Sequence, residues 1–203
     1  MIDITMPITP GMQVYKQRDA KRPHFEVAAT FEENGVYETK LTFNLHTGTH
    51  IDFPLHTLKE GASSTNHDIM DYVGDATVFD LSHLEERITL KDIENLNIEA
   101  DDFVIFKTSN TVRQNQATDF VYLAHDAASY LADKGIRGVG IDALGIERNQ
   151  PNHPTHDTLL DQGIIILEGA VLDKVSEGKY TLMCFPMKID NVEALPVRAF
   201  LQP

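Results

Sequence analysis

The eleven residues His46-Thr-Gly-Thr-His-Ile-Asp-Phe-Pro-Leu-His56 carry three histidines and one aspartate, and their order restricts the backbone more than any other stretch of this 203-residue chain. A helix would present His46 and His50 together at i and i+4. It is disfavoured, because Thr47, Thr49 and Ile51 are β-branched, Gly48 is a poor helix former and Pro54 drives Phe53 toward extended geometry. Read as a strand, His46, Gly48, His50, Asp52 and His56 share one face, and Thr47, Thr49, Ile51, Phe53 and Leu55 share the other. A straight strand fails as well. At about 3.3 Å per residue it would hold His46 and Asp52 roughly 20 Å apart, whereas metal-ligand bonds are about 2.0–2.2 Å long. The chain is therefore expected to fold back within the motif, at Gly48 through a bulge or positive φ and at Pro54 through a fixed turn.

Donors concentrated in this way read either as a metal-bound reaction centre or as a polar surface loop rich in histidine, and their shared face favours the metal. Cys184 is the only cysteine, so neither an intramolecular disulfide nor a multi-cysteine zinc site is possible, and any ion must be held by His, Asp or Glu. His46, His50 and Asp52 leave coordination positions open, which suits a catalytic ion better than a structural one. His56, beyond the proline, is either a fourth ligand or a neutral imidazole that moves protons; the second reading is favoured. Phe53 is either core or a wall against an aromatic substrate. The remaining histidines, His24, His67, His83, His125 and His153, stand alone and read as surface or hydrogen-bonded residues. Covalent catalysis has little support: Cys184 lies in an apolar run with no base nearby in sequence, and no Gly-x-Ser-x-Gly elbow occurs.

With 31 acidic against 17 basic residues, the formal charge is −14. That argues against nucleic acid and anionic membrane surfaces as partners, both of which need clustered Lys and Arg, and favours small molecules or other proteins. Two divalent ions would offset only about four of those charges, so most of the acidity is solvated surface. No apolar run approaches the roughly 20 residues needed to cross a bilayer, and MIDITMPITPGM lacks the features of a signal peptide. A cytoplasmic location is expected.

Composition does not break along the chain, so residues 1–203 read as one domain. FEVAATF, YETKLTFNL, ATVFDL and FVIFKTS read as strands, and the alternation in YETKLTFNL suggests a half-buried one. Helical spacing runs from about Phe120 to Lys134 and stops at Gly135, with IRGVGIDA as the next strand, so a strand-helix-strand unit is expected. HDTLLDQG reads as a short helix closed by Gly163, GIIILEGAVLD as a strand, and YTLMCFPMKI and PVRAFL as further strands. The predicted class is α/β with strands in excess.

The motif resembles the signature His-x-Gly-Thr-His-x-Asp-x-Pro-x-His of the metal-dependent cyclase family, which includes bacterial kynurenine formamidases and isatin hydrolases. The resemblance extends through ITMPITPGM, VFDLS, GVGIDALGIE, HDTLLDQGIIILEGAVL and FPMKIDNVEALPVRAFL. It implies a swivelling β/β/α fold, mixed strands with flanking helices, a homodimer, and Zn2+ or Mn2+ at the reaction centre, two per subunit. By that pattern His46, His50 and Asp52 hold a first ion, Asp52 reaches a second held by His156 and Glu168, and His56 transfers the proton. Read without the resemblance, each could be ordinary, His156 a polar residue opening a short helix and Glu168 a strand-end carboxylate, although a carboxylate directly after four apolar strand residues risks burial without a partner.

The implied activity is hydrolysis of an amide by metal-activated water, with N-formylkynurenine as the first substrate and a cyclic amide or lactone as the alternative. A non-catalytic metal- or ligand-binding module is the reading from a different class. Two departures bear on the substrate. Gly169 follows Glu168 where the formamidases have Asn, and MQVYKQRDAKRP lacks their Trp-Pro-Gly-Asp-like run in a chain with no tryptophan at all.

Overall fold

The structure, a computed structural model, describes residues 1–65, 67–112 and 117–203. Its strands are β1 (Ile2–Asp3), β2 (His24–Ala29), β3 (Glu38–Thr42), β4 (His50–Asp52), β5 (Val73–Asp80), β6 (Arg87–Ile88), β7 (Phe103–Lys107), β8 (Tyr122–Leu123), β9 (Gly138–Ile141), β10 (Ile165–Glu168), β11 (Gly178–Pro186) and β12 (Ala194–Gln202). Four α-helices accompany them: α1 (Phe31–Asn34), α2 (Leu90–Ile93), α3 (His125–Lys134) and α4 (Pro154–Asp161). Among the described residues no helix is long and apolar enough to cross a membrane.

Seven strands close on themselves in the order β12-β11-β5-β7-β9-β10-β4, because β4 pairs with β10 on one side and β12 on the other; β1 extends the sheet beyond β12. The run β5-β7-β9-β10 is parallel. The α3 and α4 segments lie in the β7-to-β9 and β9-to-β10 connections, which gives the expected strand-helix-strand unit. The fold is thus mixed α/β, a closed barrel with few helices, in keeping with the expected class.

Alternation along the strands sorts the core into two layers. Ile105, Leu167, Leu182, Ala199 and Ile51 pack together in one cluster, whereas Val104, Phe106, Val139, Ile141 and Ile166 pack with α3 and α4 residues such as Leu131 and Leu159. Neighbouring residues of one strand therefore serve different layers. Glycines stop the longer helices: Gly135 follows α3 with φ 69°, and Gly163 lies two residues beyond α4 with φ 70°.

Two expectations are corrected. Helical spacing suggested a start near Phe120, but α3 begins at His125, because Tyr122 and Leu123 pair in parallel with Arg87 and Ile88 and the Ala124 N–H donates to Ile88 O at 2.9 Å. The aromatic and β-branched run Phe120-Val121-Tyr122 favours that extended form. Secondly, β3 is not half-buried. It forms a two-stranded sheet with β2 alone, and every residue of β3 is exposed, so the apolar alternation has no layer to face among the described residues.

Close approach of β7 and β9 requires Gly138, since a Cβ there would lie 2.3 Å from Cε2 of the buried Phe103 ring. We expect Gly138→Ala to destabilise the fold by about 1–3 kcal/mol, the usual cost of overpacking. Its urea midpoint should fall with little change in slope; an unchanged midpoint would show that the ring moves aside freely.

Candidate metal centre

The motif does not form one continuous strand. Only His50–Asp52 is extended, residues 45–49 form a turn, and Gly48 takes φ 76°, the fold-back that the donor spacing demands. Pro54 opens a 3-10 turn, Pro54–His56, which swings His56 back toward the other donors. In the ladder, Glu168 pairs directly with His50 and Ile166 with Asp52, so the β10 carboxylate projects on the same side as the β4 donors. His156 comes from α4, packed over β10.

These placements converge on Asp52. His46 Nδ1 is 3.0 Å and His50 Nε2 3.5 Å from Asp52 Oδ1, while the two ring nitrogens stand 3.3 Å apart. On the other side, His156 Nε2 is 3.5 Å from Asp52 Oδ2 and 3.3 Å from Glu168 Oε1, and Glu168 Oε2 is 3.2 Å from His50 Nε2. Four ligands arranged tetrahedrally at about 2.0–2.1 Å from a zinc ion stand roughly 3.3–3.4 Å apart. The donor atoms stand 3.0–3.5 Å apart, which brackets that spacing. Asp52 Oδ1 and Oδ2 and both ring nitrogens of His156 are buried without a hydrogen-bond partner, a state costly for polar atoms unless an ion completes it. His56 also lies within reach, forming a possible donor group with His46 and Asp52.

Second contacts aim the rings. His50 Nδ1 donates to Gly48 O at 2.9 Å, leaving Nε2 as the lone-pair nitrogen. His46 Nε2 lies 3.4 Å from Glu193 Oε1, and His156 Nδ1 lies 3.3 Å from Glu147 Oε1. Each of the three imidazoles thus has an oxygen acceptor beside its outer nitrogen, the arrangement common around metal-bound histidines. The motif's threonines fasten the loop: Thr49 Oγ1 donates to Gly169 O and accepts from Met6 N, both at 2.7 Å. Gly169 has φ 68°, and a Cβ there would lie 2.5 Å from Gly48 O. Asn tolerates left-handed backbone better than most residues, though less readily than Gly, and in this chain the approach of Gly48 requires the smaller residue.

Charge in the centre is strongly coupled. Burial pushes the carboxyl pKa values of Asp52 and Glu168 up, but the neighbouring imidazoles outweigh it: Asp52 is held well below its usual range and Glu168 at about 2. Burial also opposes charge on His50 and His156, yet their carboxylate neighbours raise both. Without a cation, protons on these rings supply the positive charge that two buried carboxylates need. His56 differs. Burial dominates there and lowers its pKa to about 4, so the ring is neutral at physiological pH.

A cavity of about 280 Å³ opens onto the centre, with His46, His56, His156 and Glu168 in its wall. Phe53 is not in that wall. It is buried in the core cluster of Ile51 and Leu195 and borders a different cavity, because it follows Asp52 by one residue and turns to the opposite side. The substrate wall assigned to it is therefore corrected; the aromatic residue lining the metal cavity is Tyr15. His153, read as a surface or hydrogen-bonded residue, is both, its side chain exposed and its Nδ1 2.7 Å from Glu147 Oε1, and it also lines this cavity. Glu147 and His153 went unrecognised in the sequence. The only available signal was the pair His153 and His156 bracketing the start of α4.

Comparison with known proteins agrees with this architecture. The Cyclase family model, described as "Putative cyclase", matches residues 2–148, and the chain belongs to that family. A kynurenine formamidase of Bacillus cereus (strain ZK / E33L) is 37% identical over 206 residues, covering 100% of this chain and 97% of that protein. Another, from Bacillus cereus (strain ATCC 10987 / NRS 248), is 38% identical with the same coverage. Among solved structures, a predicted metal-dependent hydrolase from Bacillus stearothermophilus superposes with a TM-score of 0.89 at 46% identity, covering 98% of this chain and 96% of that one. Isatin hydrolase A from Labrenzia aggregata shares the fold at a TM-score of 0.82 and 22% identity, covering 98% and 91%.

The donor set, with the family, supports a metal cofactor. Elemental analysis should find divalent metal in the purified protein and much less in Asp52→Ala, since that side chain faces both halves of the donor set. Because the raised pKa values of His50 and His156 make protons compete with the ion, affinity should weaken as pH falls, and binding should release protons. Metal content indifferent to Asp52 would overturn the assignment.

Proposed function

We propose that this protein is a metal-dependent arylformamidase that hydrolyses N-formylkynurenine to kynurenine and formate, using two divalent ions, Zn2+ or Mn2+, per subunit. His46, His50 and Asp52 would hold one ion, and Asp52, His156 and Glu168 the other. The observation that carries the reading is the Asp52-centred donor set with a neutral, non-carboxylate-bound imidazole, His56, at its edge. The full-length similarity to kynurenine formamidases supports the choice of substrate. A divalent ion held there supplies Lewis acidity, polarising an acyl carbonyl and bringing the pKa of a water from about 15.7 toward 7.

The chain's own contribution is proton handling and placement. The His56 ring stands 4.1 Å from that of His46 and 5.3 Å from that of His156, centroid to centroid, in the cavity wall. Neutral at pH 7, it can accept a proton from the water that adds to the formyl carbon. As the C–N bond breaks, the same imidazolium returns the proton to the leaving aryl amine nitrogen, so a neutral amine and formic acid result, and the acid then loses its proton to solvent as formate. Pro54 sets this ring by forcing the turn after Asp52, and on the opposite side Glu147 Oε1 lies 3.3 Å from His156 Nδ1.

His56→Ala should keep its metal and lose about 10²- to 10⁴-fold in kcat, the range for a general acid-base group. The assay is release of kynurenine from N-formylkynurenine by metal-loaded enzyme, beside a cyclic amide and a lactone. Loss of metal in the variant would make His56 a ligand. Turnover of the cyclic substrates but not of the formamide would move the substrate while leaving the hydrolase.

The homodimer is proposed on the β2-β3 sheet, where Phe25 and Leu41 pair across the ladder and remain 39% and 41% exposed. Sedimentation should show a dimer for the native chain and a shift toward monomer for Phe25→Asp with Leu41→Asp; a native monomer would remove this proposal.

A further inference from the structure

Basic residues are scarce in this acidic chain, yet Lys16, Arg18, Lys21 and Arg22 fall within seven positions. Three of them, Lys16, Arg18 and Lys21, line the cavity that opens onto the metal centre. Arg22 is engaged elsewhere, with Asp19 at 3.0 Å and Met12 O at 3.1 Å. Among the described residues the other three make no ion pair within 4 Å, although acids outnumber bases almost two to one.

The segment is held in place. Lys16 and Gln17 both take left-handed backbone, φ 54° and 51°, which costs free energy in non-glycine residues and tends to mark functional positions. Lys16 N–H donates to Ala117 O at 2.7 Å, and Lys21 O accepts from Thr47 Oγ1 at 2.9 Å, which ties the cationic stretch to the metal-binding motif. The ammonium groups of Lys16 and Lys21 gather around one ring, 5.2 and 5.6 Å from the centre of Tyr15, and this attraction offsets their repulsion. Burial lowers the Lys21 pKa, and the nearby charges of Glu168, Asp52 and Glu193 oppose that, so its ammonium lies within the field of the centre.

Metal loading changes the balance. With two divalent ions bound, as proposed above, their four positive charges would more than offset the three negative charges of Asp52, Glu147 and Glu168, and the three cations would have no counter-charge left in the cavity. We propose that Lys21, with Lys16 and Arg18, binds a carboxylate carried by the substrate, so that the enzyme selects acyl amides bearing a negative charge and discriminates against neutral ones. The inference rests on the hydrolase reading for its link to turnover. The carboxylate-binding part stands on the cavity itself and can be tested without catalysis.

The test compares N-formylkynurenine with its methyl ester as substrates, and kynurenine with kynurenine methyl ester as ligands in calorimetry, all on metal-loaded protein. Lys21→Met should lower the preference for the free acid over the ester about tenfold in both KM and Kd, the scale of one charge-assisted contact. Lys21→Arg should restore most of that preference. Lys16→Met with Arg18→Met, both at exposed positions, should lower it in the same direction, and added salt should weaken binding of the acid more than of the ester. Metal content, measured on each variant, separates these effects from loss of the centre. Equal losses for acid and ester, no change in preference, or failure of the loaded native protein to prefer kynurenine over its ester would overturn the proposal. Should N-formylkynurenine not turn over while kynurenine still binds in preference to its ester, the formamidase reading fails and the carboxylate site survives.

Discussion

Two ionised carboxylates, Asp52 and Glu168, are almost wholly shut off from water, with side-chain exposures of 0% and 4%. Removing one such group from water costs several kcal/mol unless opposite charge and hydrogen bonds replace the solvent. The backbone meets a small part of that demand, through the Ile146 N–H bound to Glu168 Oε1 at 2.5 Å. Three imidazoles, or a cation among them, must meet the rest. Much of the surrounding fold serves to hold those groups at one point.

The barrel does this through a strand of only three residues. β4 is paired on both edges, with Glu168 across from His50 on β10 and Pro196 across from His50 on β12, so the register of two neighbours fixes where its side chains emerge. Alternation then divides the work: His50 and Asp52 emerge toward α4, whereas Ile51 joins the apolar layer with Leu167 and Leu195. A one-residue slip would bury the donors among aliphatic side chains and expose the apolar residues, so the hydrophobic layer enforces the geometry of the polar one. Thr47 and Thr49 link the preceding turn to Lys21, Gly169 and Met6, which keeps His46 folded back without a longer strand.

What was legible in the sequence follows from how local each feature is. The strand parity of His50 and Asp52, the reversal at Gly48 and the turn at Pro54 depend on a few adjacent residues, and the structure shows all three. The βαβ unit and the glycine stops were legible for the same reason. Phe53 was ambiguous, since a residue next to a metal-site aspartate can face either side; the barrel core claimed it. β3 shows the opposite failure, for its alternation is genuine but no layer among the described residues covers it. Glu147 and His153 were illegible as site residues because their relevance depends on α4 docking against β10, a long-range event that leaves no periodic trace. The basic stretch near the N-terminus was visible only as a departure from a relative's pattern, and its placement at the cavity came from the turn around Lys16 and Gln17.

Net charge and local charge answer different questions in this molecule. A total of −14 argues against polyanionic partners, which need many cations presented together over an extended face. It does not argue against a small anion. Charges on the solvated surface are screened beyond about 8–10 Å at physiological ionic strength, whereas the half-buried Lys21, with the exposed Lys16 and Arg18 beside it, borders a cavity of about 280 Å³. A carboxylate entering that space is governed by the nearby cations and by the loaded centre, not by acids elsewhere on the surface. The acidic exterior and the cationic mouth are therefore compatible. Three cations gathered at one cavity match a ligand of one or two charges, whereas an extended polyanion needs many more cations spread along a face.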